Sequence, residues 1–188
     1  MKKSTGIIIG VICVIIVLAI VVITNYNSIL SMSEEVDGKF ANVDTMLQRR
    51  ADLIPNLVNT VKGYTTQEQE VINSVTEARS KLAGANTIEE KAEVNQEISS
   101  TLSRLLVVVE NYPDLKSSQN FIQLSDELAG TENRIAVARN DYNNAVKAYN
   151  LKIKKFPNNI IAGIFNFEEK TYFEADVEST EVPNVTFE

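Results

Sequence analysis

The groups in this sequence that could do chemistry are charged and amide side chains placed on or beside apolar helical stripes. Arg50 and Glu68 fall on such stripes themselves. A charge at a half-buried position of a helical bundle is tolerated only when it is paired and hydrogen-bonded. The default interpretation is therefore a set of interhelical ion pairs and amide bonds that fix the register of the helices. The residues that flank the apolar seam of the last long helix extend the pattern: Glu132, Arg139, Asn143 and Asn150.

Two other interpretations of these residues stay open at the level of sequence. In the first, they form a recognition groove that binds an acidic or aromatic partner, and its members would be Arg49, Arg50, Tyr142 and Tyr149. In the second, the protein is an enzyme that uses carboxylates and tyrosines. Such an enzyme needs a deep pocket that gathers Glu68, Glu132 or Tyr142.

Several kinds of active site are excluded because the sequence contains no histidine. Ser-His-Asp and Cys-His arrangements and histidine-containing zinc sites all require an imidazole. The single cysteine, Cys13, lies in an apolar run, and glycine-rich phosphate loops are absent. The adjacent glutamates at 34–35 and 89–90 point around a helix rather than along one face. We therefore predict no catalytic residue, no metal and no cofactor, in a protein that is not an enzyme.

The charge balance argues against nucleic acid as a partner. The chain has 18 basic and 25 acidic residues. Without Lys2 and Lys3, which precede the apolar run, 16 basic and 25 acidic residues leave a net charge of −9. Because an acidic domain repels phosphate backbones, binding driven by counterion release is disfavoured.

Residues 6–23 form an uncharged run of 18 residues, of which 14 are Ile, Val or Leu. At 1.5 Å per residue this run is about 27 Å long, close to the thickness of the hydrocarbon core. We predict a basic flank at 1–5 and a transmembrane anchor at 6–24. The run exceeds the core of a usual signal peptide, and no pair of small residues follows it. The lysines before the run favour a cytoplasmic N-terminus and an extracytoplasmic domain in a single-pass protein of the cell membrane.

Apolar residues at three- and four-residue steps predict four amphipathic helices after the anchor, over about 25–49, 52–83, 87–111 and 118–156. Their lengths and short connections predict an all-α fold, an antiparallel four-helix bundle within residues 25–165. Gly84 can end the second helix in a left-handed conformation, and Thr87 with Glu90 forms a capping box for the third. Ser117 or Ser118 is expected to cap the fourth.

At the first connection, Pro55 sits in a continuous helical pattern. A proline inside a helix removes an amide donor and clashes with the carbonyl four residues back. We expect a turn near residues 50–52, with Asp52 as an N-cap and Pro55 in the first turn of the next helix. The alternative is one long kinked helix, because the apolar rhythm crosses this point in phase.

The segment from Gln48 to Tyr64, with Glu68 and Ala78-Arg79, resembles the signature of the LemA family of bacterial membrane-anchored helical proteins. Later segments match in the same order: residues 139–143, 149–150, 156–157 and 172–173. The resemblance implies a helical-bundle fold and no established biochemical activity. Together with the stripe positions, it selects these residues for partner binding or register: Arg49, Arg50, Asp52, Pro55, Glu68, Arg79, Glu132, Arg139, Tyr142, Asn143, Tyr149 and Asn150.

A short apolar segment at 160–165 follows Pro157. Because the last of four antiparallel helices returns toward the membrane, this segment should lie near the bilayer surface, either as a plug on the core or in contact with lipid. Its candidate membrane-proximal residues are Ile160, Ile161, Ile164 and Phe165. Residues 166–188 hold seven acidic side chains and one lysine. They form an extended strap along the bundle or a disordered acidic tail.

These features predict a membrane-anchored scaffold or adaptor that binds other envelope or membrane proteins. The family resemblance suggests that its partners include a membrane protease system. Self-association into a homo-oligomer is compatible with the sequence. The alternative function is a sensor of membrane state or envelope stress that touches lipid through residues 160–165.

Overall fold

The computed structural model describes residues 2–65 and 67–174, with the backbone alone for residues 2–5. All regular elements in this part of the chain are α-helices, which confirms the predicted all-α class. Residues 175–188 of the predicted acidic tail lie outside the described residues. The helices are α1 (Lys2–Lys62), α2 (Gln69–Gly84), α3 (Ile88–Val109), α4 (Pro113–Lys116), α5 (Gln119–Lys154) and α6 (Asn158–Phe165).

The chain divides into two compact units. Unit 1 comprises Met1–Ala41 and Asp141–Lys170, and unit 2 comprises Asn42–Asn140 and Thr171–Glu188. Helices α1 and α5 therefore each contribute one segment to each unit. Unit 2 also contains α2, α3 and α4, and unit 1 contains α6.

The first part of α1 is the membrane-spanning candidate. It is the one helix in the described chain that is long and apolar enough to cross a bilayer. Side chains 6–23 are all exposed, as expected for a segment whose partner is lipid. Polar residues follow at once, and they donate back into the last turn of the span: Thr24 Oγ1 to the Ile20 carbonyl at 2.9 Å and Asn25 Nδ2 to the Val21 carbonyl at 2.8 Å.

The predicted turn at residues 50–52 is wrong, because α1 continues without interruption to Lys62. Asp52 is a mid-helix residue whose carboxylate accepts a hydrogen bond from Gln48 at 3.0 Å, and it caps nothing. Pro55 leaves the Ala51 carbonyl without its intrahelical donor. The Nε of Arg79, on α2, supplies a donor to that carbonyl at 2.9 Å. A side chain from another helix thus replaces the bond that the proline removes.

The helical break lies further along the chain, after Lys62. Val61 is fully buried, and Gly63 and Tyr64 follow as a turn after Lys62. Counted from residue 25, α1 has 38 residues, close to the 36 residues of α5. Gly63 favours the break because glycine costs about 1 kcal/mol in a helix interior relative to alanine, and the β-branched Thr65 comes two residues later. The apolar stripe continues through residues 63–64, and for this reason the sequence pattern did not predict that the helix ends there.

The connection between α2 and α3 follows the predicted capping chemistry. The Glu90 amide donates to Thr87 Oγ1, and the Glu90 carboxylate accepts from the amides of Thr87 and Asn86, which confirms the capping box. Gly84 is the last residue of α2, and Ala85 after it is extended, so the left-handed stop is not used. The bonds from the two amides to Glu90 hold the pKa of its carboxyl group below the ordinary value.

We predict that Thr87→Ala lowers the free energy of unfolding by about 1 kcal/mol. Because Glu90 has a lowered pKa in the folded state, its contribution is present above the pKa of the unfolded chain and is lost as pH falls through the folded value. The stability difference between the wild type and Glu90→Gln, measured by thermal unfolding, should therefore begin to shrink as pH falls below the ordinary glutamate pKa of about 4.3 and should vanish below the lower folded value. Glu89→Gln, which removes a first-turn acid outside the capping box, is the control. An equal pH dependence of both variants would contradict the assignment.

In unit 1 the end of α5 and α6 run antiparallel to α1. The rings of Phe40 and Tyr142 pack at 5.5 Å between centroids, and those of Tyr26 and Phe165 at 4.8 Å. As the chain proceeds from Tyr142 to Phe165, its contacts on α1 therefore move from Phe40 back to Tyr26, toward the apolar N-terminal segment. Lys39 with Asp141 and Asp37 with Lys170 add ion pairs at 3.4 and 2.8 Å.

Candidate functional site

Arg50 is the centre of a buried polar cluster in unit 2. Its residue surface is 3% exposed. Nη1 donates to Asn95 Oδ1 at 2.7 Å, and Nη2 donates to Ser99 Oγ at 3.0 Å, both on α3. Glu132 Oε2, on α5, lies 2.7 Å from Nη1. The guanidinium group thereby connects three helices, as an interhelical register contact does.

The electrostatics of this cluster are those of a buried cation, Arg50, beside a half-exposed carboxylate, Glu132. Burial lowers the pKa of the Arg50 guanidinium, and the neighbouring Glu132 carboxylate opposes this shift. Arginine remains protonated in proteins, so the side chain is a buried cation. The contact between Glu132 Oε2 and Nη1 is close but not aligned as a hydrogen bond, and that oxygen has no other partner among the described residues. The pair is held by charge attraction rather than by a bidentate bond.

A cavity of about 220 Å³ opens beside this cluster, between α1, α3 and α5. Arg50 and Glu132 line one end, and leucines line most of the rest. Its other lining residues are Leu57, Ser99, Leu102, Ser103, Leu106, Ser125, Leu128 and Ala129. The cavity contains Glu132, but Glu68 and Tyr142 do not line it.

Arg49 occupies a different environment although it is the next residue. A step of one residue turns the helix by about 100°, so Arg49 is exposed where Arg50 is buried. It lies at a shallow polar depression together with side chains of α5, including Arg134. The α5 residues that line it are Gln119, Ile122, Gln123, Asp126, Glu127, Gly130 and Arg134.

Glu68 and Arg79 make structural hydrogen bonds in unit 2. Glu68 lies just before α2, and its carboxylate accepts from the Tyr112 hydroxyl at 2.9 Å. The same tyrosine oxygen accepts from Thr65 Oγ1 at 3.1 Å. This chain of bonds ties the connection after α1 to the segment that precedes Pro113. Arg79 donates to the Ala51 carbonyl as described above.

The tyrosines and amides of the second family segment lie in unit 1 and are buried or half-buried. Tyr142 is fully buried against Phe40, and Asn143 is half-buried. The Tyr149 hydroxyl donates to the Glu168 carbonyl at 3.0 Å. Burial, then the charges of Asp37 and Glu168, raise the pKa of Tyr149, so it is a neutral donor at pH 7.

Asn150 holds the segment after α6. Its Nδ2 donates to the Lys170 carbonyl at 2.8 Å and its Oδ1 accepts from the Lys170 amide at 2.9 Å. Lys154 and Glu169 add an ion pair at 2.7 Å. Residues 167–170 are thus fixed along α5 by an amide that imitates a backbone partner, which is the strap arrangement for this part of the predicted tail.

These placements separate the members of the predicted recognition groove. Tyr142 and Tyr149 are buried in unit 1, Arg50 is buried in unit 2, and only Arg49 presents its side chain to solvent. Arg139 is also exposed. Three of the four residues are therefore buried, because helical periodicity directs Arg50, Tyr142 and Tyr149 inward. The predicted groove stays a prediction.

The candidate membrane-proximal residues occupy two faces of α6. Ile161 is 4% exposed and Ala162 is also buried, so this face packs on unit 1. Ile160, Ile164 and Phe165 are exposed, with Ile164 at 67%. The segment is consequently both a plug and an open apolar surface, whereas the sequence presented these as alternatives.

Sequence reasoning missed the neutral members of the buried cluster. Asn95 and Ser99 bind Arg50, and Ser125 lines the cavity beside it. Asn95 falls on the inward stripe of α3, three residues before the buried Ile98, and a polar residue at such a position was the available signal.

Comparison of the sequence with known proteins identifies its family. The sequence model of the LemA family matches residues 39–187. The chain belongs to the LemA family. This confirms the resemblance carried by the arginine and tyrosine segments, and it covers the buried cluster, the cavity and α6.

Curated relatives carry two kinds of name. Magnetosome protein MamQ 2 of Paramagnetospirillum magneticum is 29% identical over 175 residues, covering 79% of this chain and 64% of that protein. MamQ of Magnetospirillum gryphiswaldense is 26% identical with the same coverage. Protein LemA of Metamycoplasma hominis is 26% identical over 165 residues, covering 84% of this chain and 75% of that protein. This LemA-family chain therefore spans less than two thirds of the length of the MamQ relatives.

Proposed function

We propose that this LemA-family protein is a non-enzymatic membrane adaptor that binds other envelope proteins through unit 2. In this proposal α1 crosses the cell membrane once from a cytoplasmic N-terminus. Helices α1, α2, α3 and α5 form an antiparallel four-helix bundle on the other side. The contacts of Arg50 with α3 and α5, and of Arg79 with α1, support the bundle.

The observation that carries the adaptor proposal is the depression at Arg49. Arg49 and Arg134 are exposed there, and neither is in an ion pair with a described residue. Asp126 and Glu127 line the same depression, and the two arginines are the groups in it that a partner's carboxylates would recognise. Ile122 adds an exposed apolar contact beside them. Arginine next to an apolar side chain is a composition typical of protein interfaces.

The adaptor proposal predicts position-specific capture of one partner in living cells. A photoreactive residue at Arg49 or Gln123 should yield the same discrete protein, including a membrane protease if the family analogy holds. Glu77, an exposed position on α2, is the control and should yield several-fold less product. Adding Arg134→Gln should weaken capture at Gln123. Equal capture at all three positions, or none at Arg49 and Gln123, would contradict the proposal.

A second candidate function, contact with the membrane surface as a sensor of its state, is favoured by a separate observation. Tyr26 lies two residues after Thr24, at the end of the span, and its ring packs at 4.8 Å from Phe165 and 5.6 Å from Phe167. A tyrosine in this position belongs to the aromatic belt of a membrane interface. This contact supports the proposal that the exposed apolar face of α6 lies at the level of the lipid headgroups.

In full-length protein in vesicles, a photoreactive residue at Ile164 should form adducts with lipid, because this side chain is open and lies at the interface. The same residue at Ile161, which is buried, should not. Asn144 is the exposed control. It lies in unit 1 beside Lys39. Because Lys39 is 15 residues after Thr24, Asn144 lies roughly 22 Å along the helix from the end of the span. Lipid adducts at Asn144 as strong as those at Ile164, or none at Ile164, would reject the membrane contact.

A further inference from the structure

Positive charge is concentrated at one end of unit 1, although the chain as a whole is acidic. Residues 142–167 contain four lysines and no aspartate or glutamate, whereas the complete chain has a formal net charge of −7. On α1, residues 24–33 contain no charged side chain. The end of α5 and the whole of α6 therefore form a stretch of the protein in which lysine is the only charged residue type.

The antiparallel packing of α5 on α1 gives the level of these lysines relative to the apolar span. The rings of Tyr142 and Phe40 pack together, and α5 runs back along α1 from that point. Lys155 is 13 residues after Tyr142, which is roughly 20 Å along α5. The same number of residues leads on α1 from Phe40 back to Asn27. Lys155 therefore lies roughly 5 Å, along α1, from the end of the span.

Two of the lysines at this end have a charge that the described residues do not neutralise. Lys154 is in an ion pair with Glu169 at 2.7 Å. Lys155 is exposed and Lys152 is half-buried, and neither is in an ion pair with a described residue. The neighbouring Glu168 is exposed and carries the one negative charge that remains after these cancellations. This end of unit 1 is thus net positive.

An open apolar surface accompanies the two lysines. Phe156, the next residue after Lys155, is 81% exposed, and the outer face of α6 is exposed as well. The Asn159 amide donates to the Lys155 carbonyl at 2.9 Å, which fixes Lys155 at the start of α6. Lysines beside open aromatic and aliphatic side chains are typical of protein surfaces that bind an anionic bilayer.

We propose that this end of unit 1 binds anionic phospholipids, with Lys152 and Lys155 on the headgroup phosphates and Phe156 at the acyl boundary. The inference rests on the second candidate function, contact with the membrane surface. It names the membrane property that the protein senses, which is the content of anionic lipid. A zwitterionic headgroup carries an ammonium group that compensates its phosphate, so a headgroup with a net negative charge gains more from two lysines. Each lysine near an anionic surface strengthens binding about fivefold.

The test uses the full-length protein in nanodiscs that contain phosphatidylcholine and phosphatidylglycerol in a fixed ratio. A photoreactive phenylalanine derivative replaces Phe156, and mass spectrometry counts the adducts formed with each lipid. Adducts with phosphatidylglycerol should exceed its share of the bilayer about fivefold. High salt should reduce this excess, because ions screen the attraction between lysine and headgroup.

Lysine variants identify the residues that select the anionic lipid. Lys152→Gln combined with Lys155→Gln should return phosphatidylglycerol adducts to the share of that lipid in the bilayer. Lys147→Gln is the matched control, because Lys147 is exposed on the same helix. It is eight residues before Lys155 and so roughly 12 Å further from the span, beyond the Debye length of about 8 Å. This control should keep the full excess.

The outcomes separate this inference from the membrane contact on which it rests. Adducts in the bulk lipid ratio in the wild type would overturn the anionic preference, while the adducts themselves would still support contact with the membrane. An equal loss of the excess in Lys147→Gln and in the double variant would also overturn it, because total charge rather than this surface would then set the ratio. Absence of any lipid adduct at Phe156 and at Ile164 would reject the membrane contact itself.

Discussion

Arg50→Ala is expected to lower the free energy of unfolding by about 3 kcal/mol, since removing one partner of a buried ion pair leaves the other uncompensated. The carboxylate left behind, Glu132, is 46% exposed in its side chain, which places the effect at the lower end of the range for buried pairs. Asn95 and Ser99 also lose the donors that they accept from. Thermal unfolding of the purified full-length protein should show a fall of roughly 6 to 12 °C in Tm.

Arg49→Ala is the matched control, because it removes the same side chain one residue away on the exposed face. Its effect should stay within about 0.5 kcal/mol. Arg50→Lys should recover little of the loss, since an ammonium group cannot reach Asn95, Ser99 and Glu132 in the planar geometry that guanidinium provides. Equal losses for Arg49→Ala and Arg50→Ala would mean that the polar cluster does not hold the three helices together.

Arg79→Met is expected to cost about 2 kcal/mol, because it removes a charged donor from a carbonyl that Pro55 has deprived of its own. The reason can be isolated with a second substitution. Pro55→Ala restores the amide of residue 55, which then bonds to the Ala51 carbonyl within the helix. In that background the loss caused by Arg79→Met should be smaller by about 1 kcal/mol.

The measurement is a double-mutant cycle on the full-length protein, with Tm and denaturant midpoints for the wild type, both single variants and the double variant. Arg104→Met provides a control for the loss of an arginine, since Arg104 is largely exposed in an ion pair with Glu70 at 3.7 Å. Its effect should be small. If Arg79→Met costs the same with proline and with alanine at position 55, its contact with Ala51 does not explain how the helix tolerates Pro55.

The two arginine predictions also show which site residues the sequence pattern could identify. The apolar rhythm placed Arg50 on an inward stripe, and the ion pair with Glu132 joins two residues that the pattern had already selected. Its hydrogen-bond partners Asn95 and Ser99 were not selected, because neutral polar residues on a stripe carry a weak signal. The same rhythm predicted Tyr142 and Tyr149 on the seam, where the structure buries them, and a groove that exposed them was inconsistent with that stripe.

The sequence alone was sufficient for the helical class, the apolar span, the capping box at Thr87 and Glu90, and the family. These properties depend on composition, local periodicity and short-range hydrogen bonds, which are present in any stretch of a few turns. The end of α1, the division of α6 into a buried and an open face, and the cavity beside Arg50 required the tertiary structure. The physical reason is clearest at Pro55. Whether a proline interrupts a helix depends on which donor bonds to the carbonyl that the proline leaves free. Here that carbonyl belongs to Ala51, and its donor is Arg79, 28 residues further along the chain on another helix.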